Sequence, residues 1–158
     1  MVDPVPDGYA PITPYIVVRN CAAAIEFYKK AFGAEEFFRM NMPDSEVILH
    51  AEIKVNGAPI MMTEEMPEMG SQSPQALNGS PISLHLYVPD VDAAYARAQE
   101  AGCEAVMPPQ DMFWGDRFGR LKDPYGHSWS LATHVRDVSP EEMQDGLKAA
   151  FAQPAEGQ

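Results

Sequence analysis

Apolar and polar positions alternate in short runs along this chain, and twice the alternation gives way to a helical stripe. Pro14-Tyr-Ile-Val-Val-Arg-Asn20 reads as a strand ending in a residue suited to cap a helix. From Cys21 to Phe32, Ala24, Ile25, Tyr28 and Phe32 lie on one stripe, and Gly33 ends the pattern. The same succession recurs about 70 residues later. Ser83-Leu-His-Leu-Tyr-Val-Pro-Asp90 is a strand run with its cap, Val91 to Ala101 is a helix, and Gly102 closes it. A repeated strand-cap-helix-glycine unit predicts a duplicated fold.

Three extended segments follow each helix. In the first half they cover roughly 35–40, 46–55 and 58–63, the last two joined by Asn56-Gly57, a pair that tolerates the positive φ of a tight hairpin. In the second they cover roughly 104–107, 116–122 and 128–134, with Asp123-Pro-Tyr-Gly126 turning the chain into the last strand. Each half therefore reads β-α-β-β-β. The predicted class is α+β: two βαβββ modules forming a curved mixed sheet around a concave pocket, plus a C-terminal helix. We expect one domain over 1–158, with half one about 10–64, a linker or flap at 65–81, and half two about 82–136. Ser139-Pro-Glu-Glu142 is a capping box with proline at the first helical position, so a helix at about 140–152 and then a frayed tail should follow.

Composition narrows the function classes. Asp and Glu number 23 against 11 Lys and Arg, a net charge of −12, which repels nucleic-acid backbones and anionic membrane surfaces. No apolar run nears the ~20 residues of a membrane span. The acidic, proline-broken start, Met1-Val-Asp-Pro-Val-Pro-Asp-Gly8, is unlike a signal peptide, so the expected location is the cytoplasm. Cys21 and Cys103 make no metal-ligand spacing; Cys21 is either a thiol activated at a helix start or a small apolar residue beside it.

The duplicated unit, with Phe27-Tyr-Lys-Lys-Ala-Phe-Gly33 and Asp123-Pro-Tyr-Gly-His127, resembles the vicinal oxygen chelate superfamily of glyoxalase I, bleomycin- and fosfomycin-resistance proteins and extradiol dioxygenases. Thr13-Pro-Tyr15 and Phe113-Trp-Gly-Asp-Arg117 look like its PhnB-like branch. The resemblance implies a small-molecule pocket, often in a homodimer, and a divalent metal held by His, Gln or Glu. Counted from the caps and the Asp-Pro turn, its metal positions fall here on Thr13, Ser83 and Ser130. Neutral hydroxyls are poor ligands beside imidazole and carboxylate, so the usual triad is missing.

Strand parity supplies other chemistry, because alternate residues share a face. Val47, Leu49, Ala51, Ile53 and Val55 form an apolar stripe, which turns His50 and Glu52 into the concavity; His85 lies with Ser83 and Tyr87 on the corresponding face of the second half. Tyr15, Tyr87, Met112, Phe113 and Trp114 are candidate walls, Arg117 a candidate grip for an anionic group, and Ser130 a polar contact. Three readings of His50, Glu52 and His85 stay open. They are a relocated metal site, metal-free acid–base chemistry, or polar contacts in a pocket that binds without turnover. The last, a small-molecule-binding protein, is the main expectation, with a lyase, isomerase or oxygenase as the alternative.

Overall fold

The structure is a computed structural model and describes residues 2–152. The strand-cap-helix unit forms in both halves as its sequence predicts. In half one, β1 (Tyr15–Val18) leads into α1 (Cys21–Phe32), then β2 (Glu35–Asn41), β3 (Ile48–Val55) and β4 (Ala58–Glu64). The Asn20 side chain accepts a hydrogen bond from the Ala23 amide, and Gly33 ends the helix at φ 66°, a conformation with no steric cost only for glycine. A linker follows, holding a 3₁₀ turn (Pro67–Met69) and a short helix α2 (Pro74–Leu77). In half two, β5 (Ser83–Tyr87) leads to α3 (Val91–Ala101), β6 (Glu104–Asp111), β7 (Asp116–Lys122) and β8 (Ser128–His134). The Asp90 carboxylate caps α3 through the Ala93 amide. The last helix, α4 (Pro140–Phe151), starts on the expected Ser139–Glu142 capping box. The tail expected beyond it falls on 153–158, outside the described residues. No helix among the described residues is long and apolar enough to cross a membrane.

Strand pairing stays within each half, giving two four-stranded mixed sheets ordered β1-β4-β3-β2 and β5-β8-β7-β6. In each, the first strand runs parallel to the fourth and the rest are antiparallel. β6 extends past the expected Met107 to Asp111 through Pro108 and Pro109. An edge strand tolerates residues without an N–H, and the register shifts between Met107 and Gln110 accommodate them.

One face of each sheet is covered by helix. Ile25, Tyr28 and Phe32 of α1 and Tyr95 of α3 join Ile53, Met62, Leu121, Trp129 and Leu131 in one core that spans both halves. Phe32 stacks on Trp129 with ring centroids 4.1 Å apart. At the centre the Asp123 carboxylate, 4% exposed, accepts from the Tyr28 hydroxyl (2.7 Å), Trp129 Nε1 (2.9 Å) and the amides of Tyr125 and His127 (both 2.9 Å). His127 Nε2 donates to the Val17 carbonyl, and Arg97 donates to the Lys29 and Lys30 carbonyls ending α1. The Asp-Pro-Tyr-Gly-His turn thus binds the second half to the first.

Both thiols are buried. Burial, with the Glu64 charge adding to it, pushes Cys21 up to about 12; burial and Asp123 push Cys103 equally far. Cys21 is therefore the small apolar residue of the two expectations, with no thiolate character at neutral pH.

Candidate functional site

The faces turned away from the helices differ between the halves. On β3 of half one the expected alternation holds from His50 onward: Ala51, Ile53 and Val55 are buried against α1, while His50, Glu52 and Lys54 point to the open face. It fails before that point. Met40 pairs with His50 but Asn41 pairs with Ile48, so Leu49 is an extra, bulged residue. The bulge turns Ile48 into the core, at 1% exposure, and puts Leu49 on the cavity wall beside His50. The stripe from Val47 to Val55 is corrected accordingly.

Four side chains join across this face. His50 Nε2 lies 2.9 Å from Glu52 Oε1, and His50 Nδ1 lies 2.8 Å from the Tyr15 hydroxyl. The Tyr9 hydroxyl donates to the other carboxylate oxygen of Glu52. A carboxylate only accepts, so Nε2 carries the hydrogen; in the tautomer with that single hydrogen, Nδ1 accepts from Tyr15. Tyr15 and Phe38 wall the imidazole, with centroids 5.3 and 6.0 Å away. Burial raises the Tyr15 phenol above its ordinary value, with the nearby Cys21 adding to it. Nothing marked Tyr9 in the sequence, because it sits in a proline- and glycine-rich segment without periodicity.

A cavity of about 680 Å³ opens against this chain, with Tyr15, Met40, Leu49, His50 and Thr63 on the sheet side. The linker forms its roof through Met66, Met69, Gln72 and Leu77. One carboxylate fastens the roof to the sheet. Glu65 accepts from Arg19 (2.7 Å), the Ser73 amide (2.8 Å) and the Ser73 hydroxyl, and the bonds from Ser73 and Arg19 hold it down to about 2.

In half two the corresponding face is lined with rings, of which His85 and Tyr87 are exposed. His85 Nδ1 bonds the Ser130 hydroxyl at 2.7 Å, while the ring stacks on Phe118 (6.0 Å) and meets Tyr87 edge-on (4.7 Å). Trp114 packs on Phe113 and Phe118, at 5.1 and 5.6 Å. Phe113 in turn lies so close to Gly146 of α4 that a Cβ there would meet its own at 2.6 Å. Met112 belongs to the same hairpin, its amide bonded to the Asp116 carbonyl. The Tyr87 hydroxyl donates to Asp116, which also binds His134 at 2.8 Å. Arg117 does not join this face. Odd parity on β7 turns it to α3, where it pairs with Asp92 (2.6 Å) and Asp111 (3.1 Å).

The expected trio is therefore divided: His50 and Glu52 are bonded neighbours on one sheet, and His85 stands on the other, engaged by Ser130. No group of three His, Cys, Asp or Glu among the described residues is arranged to hold a metal ion. The positions that the resemblance assigns to metal do not fit one either. The Thr13 hydroxyl is bonded to the Ala10 carbonyl, Ser130 to His85, and Ser83 is exposed.

Comparison with known proteins agrees with this architecture. The chain matches the Glyoxalase/Bleomycin resistance protein/Dioxygenase superfamily over residues 9–131. An uncharacterised protein of Mycobacterium bovis is 42% identical over 141 residues, covering 87% of this chain and 92% of the relative. Among solved structures, a member of the same superfamily from Sphaerobacter thermophilus is 26% identical with a TM-score of 0.60, covering 78% of this chain and 97% of its own. A PhnB protein from Bacillus cereus, 19% identical, shares the fold with a TM-score of 0.57 over 78% of this chain and 99% of its own.

Proposed function

This chain belongs to the glyoxalase/bleomycin resistance protein/dioxygenase superfamily, and we propose that it binds a small organic molecule in the half-one cup without the superfamily's usual metal triad. The observation that carries this reading is the cavity of about 680 Å³ whose wall carries Tyr15 and His50 bonded to each other, with Glu52 completing the chain outside the lining. Apolar side chains surround that chain on the sheet and on the roof, a composition suited to a guest with one polar group and an apolar body. The protein acts in the cytoplasm as a homodimer. Support for the dimer comes from the open faces, where Tyr15, Phe38, Met40 and Tyr87 are 44–56% exposed. In that assembly the half-two face of a second copy brings His85, with Tyr87 and Trp114, toward His50 and Glu52.

Calorimetric titration with a panel of small carbonyl compounds, phosphonates and metal-free bleomycin tests the reading. At least one compound should bind, and Tyr15→Phe should weaken it about tenfold by removing a hydrogen bond of the wall. Chelator dialysis should leave binding unchanged. A stoichiometric transition metal that is lost in His50→Ala together with binding sinks the proposal.

The imidazole's double engagement favours a second reading as an enzyme. Glu52 fixes the ring so that Nδ1 faces Tyr15 and the cavity, the arrangement of an oriented base. On that reading the substrate oxygen takes over the Tyr15 hydroxyl's hydrogen bond, and the freed His50 Nδ1 removes the proton beside the carbonyl. Deuterium exchange into a bound ketone in heavy water, lost in His50→Gln, is its signature.

A further inference from the structure

A second cavity, of about 600 Å³, lies between the two halves, where strand pairing stops at the edges of β1 and β5. It shares Tyr15, Val17, Gln72 and Leu77 with the first, so the two spaces meet at the Tyr15 side chain. Its chemistry is different. Val55, Ile60, Leu84, Leu86 and Trp129 form its walls. The two imidazoles that reach it are already committed, His127 to the Val17 carbonyl and His85 to the Ser130 hydroxyl. A lining dominated by apolar side chains, with Gln72, Ser80 and Ser83 among its polar members, suits an apolar guest. At its rim Ile12 and Ile82 are 89% and 69% exposed.

We propose that the ligand of the half-one cup is an amphipathic molecule, its carbonyl or hydroxyl head taking the Tyr15 hydroxyl's hydrogen bond from His50 and its alkyl tail in the gap between the halves. The proposal rests on the cup reading above and adds the substrate class. Among the described residues, no ionisable side chain other than the Tyr15 phenol and the His50 imidazole lines the head space, which selects a neutral head. The tail gains in proportion to the apolar surface it removes from water.

Straight-chain methyl ketones, from 2-pentanone to 2-undecanone, test this by titration calorimetry against the wild-type chain and two variants. Each added methylene should tighten binding to the wild type by up to about fourfold, the factor for full burial. Ala58 is an exposed residue on the gap wall, so Ala58→Trp fills the gap from its rim without disturbing the core. It should abolish the dependence on chain length while short ketones still bind, with circular dichroism confirming the fold. Tyr15→Phe should weaken every member by a similar factor and leave the dependence intact. Wild-type affinity that ignores chain length but responds to Tyr15→Phe overturns the tail site and leaves the cup standing. A chain-length dependence indifferent to Tyr15→Phe but lost in Ala58→Trp overturns the joined site, since the gap then binds alkyl chains alone. Failure of every ketone to bind overturns both.

Discussion

The two halves are built from the same succession of elements, yet one carries a cavity on its open face and the other a stack of rings. The difference lies less in the strands than in the segment that leaves the last strand of each module. After β4 the chain passes into the linker, which arches back over His50 and leaves about 680 Å³ beneath it. After β8 it passes into α4, which settles against Phe113 and through it on Trp114 and Phe118. A duplicated module supplies two equivalent faces, and the outgoing segment decides whether each becomes a container or a wall. His50 keeps its partners on a cavity wall, whereas His85 has an aromatic ring on one side and a tyrosine edge on another.

The halves depend on a common core rather than folding apart, and Asp123 is where to break it. Asp123→Ala strips acceptors from the Tyr28 hydroxyl, the Trp129 indole and the His127 amide, all buried, and from the part-buried Tyr125 amide. Orphaned buried donors cost about 1–3 kcal/mol each before relaxation. We expect a loss of about 4 kcal/mol in urea unfolding, in a single transition seen alike by probes in both halves. Separate transitions, with half one unaffected, contradict the shared core.

Much of this architecture was legible because it is local. Asn20 and Gly33, Asp90 and Gly102, and Asn56-Gly57 act through the backbone next to them, and the structure uses all of them as their chemistry dictates. The direction of His50 and Glu52 was legible too, since period two holds over that part of β3. What escaped was set by distant contacts. The Leu49 bulge depends on how β2 pairs with β3, and a one-residue slip reverses every side chain before it. Tyr9 reaches Glu52 from a segment with no repeating pattern. Arg117 has the right parity for α3, but its partner Asp92 is visible only once the helix lies over the strand. The separation of His85 from His50 reflects two sheets that pair internally, which no residue pattern announces.

The outgoing segments are strapped down by different charges. Glu65 straps the linker over half one. Its carboxyl is held at about 2, below the ordinary 4.5, by the Ser73 and Arg19 hydrogen bonds. A depressed carboxyl contributes stability that is complete above 4.5 and disappears as pH falls through about 2. Glu65→Gln should therefore remove about 1.5–3 kcal/mol at neutral pH, the scale of hydrogen bonds to a charged group. It should also flatten the acid limb of the stability curve and speed amide exchange in the roof, with ligand binding in the cup weakened in step. Unchanged exchange over residues 66–77 contradicts Glu65 as the strap.

Half two carries the opposite sign. His134, the last residue of β8, binds Asp116 through Nδ1 and Asp137 through Nε2, at 2.8 and 3.1 Å. Those bonds, Asp116 first, raise its imidazole above the ordinary 6.5. Tyr87 also faces Asp116, and the carboxylate's charge keeps that phenol protonated by raising it. The imidazole is left as the partner whose charge changes as pH rises above 6.5. A raised histidine contributes stability that is complete below 6.5 and disappears as pH climbs through the raised value. The ring is half exposed, so the effect on global stability should be the smallest of the three and best read locally. The amides of Val135 and Arg136, both bonded to the Gly115 carbonyl, should exchange faster once the imidazole loses its proton, after correction for the intrinsic rate. In His134→Asn the corrected rate should no longer depend on pH across that range. A half-one linker indifferent to the alkaline change, and a half-two exit indifferent to the acid one, would show that one duplicated module closes its two copies with opposite charges.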